Sequence, residues 1–91
     1  MEIIKYLGER MAQKIEISPP AARGLLKLAI KDEMGPFTPL NQVNFNDLKK
    51  VIQNSLFNRL DGLKVNNLKE IVKDLLEELT QNQSLITIAG V

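Results

Sequence analysis

The chain has 91 residues and a mass of 10.2 kDa, enough for one small domain (1–91) and too little for a second independent core. It contains no cysteine, histidine or tryptophan, which excludes disulfides, thiolate nucleophiles, imidazole bases, Ser-His-Asp triads and zinc sites built on histidine or cysteine. Twelve Lys+Arg against eleven Asp+Glu leave a formal net charge of +1, so no bulk charge points to a partner.

Residues 2–16 are expected to form a first helix. Ile3, Ile4, Leu7, Met11 and Ile15 recur at helical spacing and leave Lys5, Glu9, Arg10 and Lys14 on the other face. Gly8 interrupts it, with room for a close helix–helix approach. A second helix is expected over 19–34. Ser18 is its N-cap, Pro19 suits the first helical position, and Gly35-Pro36 stops it. Its apolar residues, from Ala21 to Ile30, cover an arc of roughly 200° at 100° per residue, which calls for more than one packing neighbour.

Residues 35–45 hold two prolines and are expected to be irregular, with 40–45 extended and Phe37, Leu40, Val43 and Phe45 tucked onto the core. Asn46 is the expected cap of a third helix, 46–61, with Leu48, Val51, Ile52, Leu56 and Leu60 inward. Asp61-Gly62 ends it and Leu63 is expected to fold back. A fourth helix, 67–82, is expected to be capped by Asn66 or Asn67; with Asn67 as cap, Glu70 stands at the capping-box position. Leu68, Ile71, Val72, Leu75, Leu76 and Leu79 form its apolar stripe. The segment 84–89, Ser-Leu-Ile-Thr-Ile-Ala, is β-branched and uncharged and is expected to pair as a strand with 40–45 or with a second copy. The fold class is therefore mainly α: a compact four-helix domain with one short β pairing.

Two charged groups have a functional reading. Arg23, Lys27 and Lys31 form a basic stripe at i, i+4, i+8, suited to phosphate or an acidic partner, with Lys49 and Lys50 as possible additions. The bland reading is a solvated strip beside an apolar face. Glu70, Asp74, Glu77 and Glu78 make the fourth helix acidic and suggest either a metal cluster or an ordinary helix surface interleaved with Lys69 and Lys73. No nucleophile-elbow, P-loop or dinucleotide-binding motif occurs, so no enzyme, no cofactor and no metal are expected.

The order of elements, helix 19–34, strand 40–45, helices 46–61 and 67–82, strand 84–89, resembles the front of a winged helix. That resemblance implies that 67–82 reads a DNA groove, although its exposed residues are mostly acidic. Val43-Asn44-Phe45-Asn46-Asp47-Leu48 also resembles the junction into an EF-hand exit helix, but Pro36, Thr38 and Leu40 stand where calcium ligands are required. The leading expectation is a small non-enzymatic protein-interaction or regulatory module whose partner is another protein, with a second copy of itself, as a homodimer, the first candidate. Tyr6 and Phe57 are its expected aromatic anchors, with Leu85, Ile86 and Ile88 at the same surface. The alternative is a small winged-helix-like DNA-binding regulator using Arg23, Lys27 and Lys31. No apolar run reaches the roughly 18–20 residues of a membrane span, and the N-terminus lacks a secretory pattern, so a cytoplasmic, membrane-free setting is expected.

Overall fold

Hydrophobic spacing along the chain resolves into five helical rods joined by tight turns. The computed structural model describes the backbone of residues 2–90 and the side chains of residues 2–86. Helix α1 (Glu2–Ile15) buries Ile3, Ile4, Leu7, Gly8, Met11 and Ala12. It ends with Glu16 in the left-handed region at φ 59°, while the Ile17 N–H donates back to the Ala12 carbonyl. That six-to-one bond is the Schellman closure, here made without glycine.

Helix α2 (Pro19–Met34) starts as its sequence dictates: the Ser18 hydroxyl accepts from the Ala21 N–H at 3.2 Å. It stops at Gly35, whose φ of 100° strains any side chain and whose N–H donates to Lys31 O at 2.9 Å. Its buried face is Ala22, Leu26, Ala29 and Ile30, with Leu25 half-buried. Leu28 remains 43% exposed and Ala21 exposed, so the covered arc is narrower than the composition of α2 suggests. Its neighbours are nonetheless several: α1 on one side, α3 and the turn that follows α3 on the other. Gly8 is the hinge of the α1–α2 contact. A Cβ there would lie 2.6 Å from Arg23 Cγ and 3.3 Å from the Arg23 backbone nitrogen.

After Gly35 the chain turns sharply, closed by the Thr38 hydroxyl donating to Met34 O at 2.7 Å. Phe37, expected on the core, sits at the tip of this turn and is 94% exposed. Val43 is buried, and Leu40 and Phe45 pack half-buried against the core.

Helices α3 (Phe45–Val51) and α4 (Phe57–Gly62) are two halves of one rod, joined by a π-helical segment at Ile52–Leu56. Asn44 is the cap rather than Asn46. Asn44 and Asp47 bond each other's backbone N–H at 2.9 and 3.2 Å as a capping box. The π segment has a reason in the spacing: Leu48, Ile52, Leu56 and Leu60 recur every four residues and are all buried. At 3.6 residues per turn that row would drift around the helix, and one wider turn brings it back to the core. Past Gly62, Lys64 takes φ 56° and Val65 N–H donates to Leu60 O at 3.3 Å. Val65 thus makes the fold-back expected of Leu63, which is 59% exposed.

Helix α5 (Leu68–Gln81) begins at the boundary its sequence marks. Asn67, however, adopts a left-handed φ of 56° and makes no side-chain cap. Helix α6 (Gln83–Gly90) replaces the expected strand, and residues 40–42 form a 3-10 turn. The β pairing of 40–45 with 84–89 is therefore not formed, and no strand occurs among the described residues. A helix satisfies its own backbone and needs no ladder partner, whereas the helix penalty of β-branched residues is only about half a kcal/mol each. Asn82, at φ −119°, breaks α5, and Leu85 N–H then donates to Asn82 O at 3.0 Å. The restart lays Leu85 and Ile86 against the core beside α1. Helix α6 also touches the 3-10 turn, so the two segments do meet, without strand hydrogen bonds.

The winged-helix arrangement loses its strands by the same finding. The described core contains only apolar side chains, running from Ile3 on α1 to Leu79 on α5. The Cα radius of gyration, 11.9 Å, is close to the roughly 12 Å of one compact unit of this length.

Candidate functional site

Helix α5 carries two unlike flanks, one on each side of its buried stripe of Ile71, Val72, Leu75 and Leu79. On the first flank it runs antiparallel to α1. Tyr6, Arg10 and Lys14, four residues apart, face Glu78 and Asp74. The Tyr6 hydroxyl donates to Glu78 Oε2, and Arg10 Nη2 lies 3.3 Å from Glu78 Oε1. Lys14 Nζ lies 2.9 Å from Asp74 Oδ2, an ion pair whose angle falls outside hydrogen-bond geometry. Asn82 Nδ2 donates to Glu78 O at 2.8 Å and closes the row. The hydrogen bond to the Glu78 carboxylate, reinforced by partial burial and by its negative charge, holds the Tyr6 phenol above its ordinary range.

A second clasp ties α2 to the π segment and α4. The Arg59 guanidinium makes a two-pronged bond to Asp32, with its Nη2 3.0 Å from Oδ1. Ser55 Oγ donates to Glu33 Oε1 at 2.9 Å. The Arg59 hydrogen bond lowers the Asp32 carboxyl below its usual range and raises Arg59 in turn.

The second flank of α5 is open. Between α4 and α5 lies a groove of about 490 Å³ with Val72 as its floor and half-buried Phe57 and Leu76 as its apolar walls. Lys69, Lys73, Glu77 and Thr80 form an exposed polar rim. A larger hollow of about 770 Å³, near the ends of α1 and α4, is lined mainly by polar groups, including Lys14 and Asp74, which already pair with each other. Of the two, the groove has the more apolar lining, and apolar area removed from water is what drives association.

The expected anchors are thus separated. Phe57 lines the open groove, while Tyr6 is committed to Glu78 on the opposite flank. Leu85 and Ile86 are half-buried against the core, with Leu85 and Tyr6 beside a smaller hollow of about 300 Å³. Ile88 lies outside the residues whose side chains are described. Val72 and Leu76 belong to the groove but read in sequence as part of the core stripe. Their positions beyond the centre of that stripe are the only sequence signal for it.

The basic stripe is not uniform. Arg23 is half-buried against Gly8, while Lys27 and Lys31 are exposed. Arg23 and Lys27 share a hollow of about 330 Å³ with Lys5 and with the carboxylate of Glu2. Lys49 and Lys50 are exposed on α3. Among the described residues no three acidic side chains converge as a metal site, since Asp74 and Glu78 face α1. Among the described residues no helix is long and apolar enough to cross a membrane. No protein-family model, curated protein or solved structure matches the chain.

Proposed function

We propose that the chain is a non-enzymatic protein-interaction module that self-associates through the α4–α5 groove, with a second copy of the chain as occupant. The observation that carries this reading is the open flank of α5. Phe57 and Leu76 line an open groove, while the other flank of the same helix is covered by α1. A groove of this shape receives the apolar side of a helix, and the rim carries both charge signs, as a self-complementary surface requires. A formal net charge of +1 imposes little repulsion between copies. Phosphate contact through Arg23, Lys27 and Lys31 has less support, because Arg23 is partly spent on the α1 contact and Glu2 shares the hollow.

Sedimentation velocity over a wide concentration range tests the proposal. The expected result is a concentration-dependent dimer that Phe57→Ala weakens at least tenfold while the helical circular dichroism is retained. A wild-type chain that stays strictly monomeric at high micromolar concentration overturns it. Salt-sensitive retention of duplex DNA by such a monomer would favour the basic stripe instead.

A further inference from the structure

We infer that two copies pack α5 against α5 in antiparallel fashion about a two-fold axis level with Leu75, so that Lys73 of each copy faces the partner's Glu77. This rests on the self-association reading above and adds its geometry. Along the groove the rim runs from basic to acidic: Lys69 and Lys73 come first, then Glu77, with Gln81 last. Reversing that order in a second copy sets Lys73 against the partner's Glu77, and Lys69 against the amide of the partner's Gln81. The two pairings have the same midpoint, Leu75, so one axis satisfies both. In a two-fold contact each pairing occurs twice, which doubles the effect of every side chain in it. A parallel arrangement would instead place lysine beside lysine and glutamate beside glutamate.

Two further observations agree with this. Lys73 and Glu77 are both exposed, and neither forms an ion pair with another of the described residues. They stand four apart on one helix with lysine first, the weaker order for a pair within a helix, so their charges are available across an interface. Leu76, one residue from the axis level, comes beside its own mate and closes the apolar centre between the charged pairs.

Charge reversal distinguishes this geometry from self-association by any other face. Lys73→Glu alone and Glu77→Lys alone each set like charges against each other twice, and each is expected to weaken the dimer roughly tenfold. An equimolar mixture of the two variants restores opposite charges at both contacts and is expected to form a heterodimer of wild-type strength. The double variant Lys73→Glu/Glu77→Lys is expected to homodimerise like the wild type. A wild-type dimer that neither reversal weakens overturns the inference while leaving self-association standing. So does a mixture no stronger than its components. A monomeric wild type overturns both. Circular dichroism of each variant confirms that the exposed substitutions leave α5 folded.

Discussion

The two flanks of α5 are made from the same helix and end in opposite states. On the α1 side, Asp74 and Glu78 meet Lys14, Arg10 and Tyr6, and each of these side chains pairs with another inside the chain. On the α4 side, Lys69, Lys73 and Glu77 rim an apolar groove and have no such partners among the described residues. The difference teaches that helix charge by itself does not identify a surface. Two of the acids that looked like a site, Asp74 and Glu78, are structural, and the groove lies where sequence reading saw a continuation of the core.

The largest effect separates the shared stripe from the open flank. Leu75 is fully buried between the two, and Leu75→Ala is expected to cost about 2–5 kcal/mol in denaturant unfolding. Leu76→Ala, one residue away and half-buried, is expected to cost less than half as much while removing self-association. Equal stability losses would show that the groove side is core after all.

A smaller effect reaches the closed flank from behind. Gly8→Ala forces α1 away from the Arg23 backbone and is expected to destabilise by about 1–3 kcal/mol. Gly24→Ala is the control on the facing helix. Outside its own turn of helix nothing lies within 4 Å of the added methyl, so the helix gains about 0.5–1 kcal/mol. Thermal melts of the pair should move in opposite directions.

The smallest effect is a titration. Tyr6 is the only tyrosine and the chain has no tryptophan, so phenolate absorbance reports this one group. Its folded pKa is raised by Glu78, so the stabilisation is complete below the ordinary tyrosine range near 10 and is lost as pH rises through the folded value. Phenolate should therefore appear at higher pH in native protein than in denatured protein, and Glu78→Gln should shrink the gap. A native curve that overlays the denatured one would sink the closed-flank assignment.

Much of the fold was legible in the sequence because helix punctuation is local. Ser18, Pro19 and Gly35 bound α2 as their chemistry requires, and within the expected α5 stripe Ile71, Val72, Leu75 and Leu79 are buried while Leu68 and Leu76 are half-buried. Where reading failed, the deciding energy was not local. The segment 84–89 carries strand propensity, yet it coils into α6 because Leu85 and Ile86 gain burial beside α1. Leu63 was the expected fold-back residue, but the left-handed turn at Lys64 leaves it exposed and brings Val65 back instead. Of the candidate surface, Phe57 was legible as an aromatic outside a clean stripe. Tyr6 was indistinguishable from it until α1 was seen against α5.

By itself, the sequence determined which residue chemistries are absent, that the chain is mainly helical, and most of the side chains that line its core, Phe37 being the exception, since these depend on residue types and on spacing within single elements. Only the tertiary structure decided that the final segment is a helix, that Asp74 and Glu78 of α5 face α1, and that its other flank stays open. Each of those outcomes depends on which helix lies beside which, and that is set by the summed burial of distant segments.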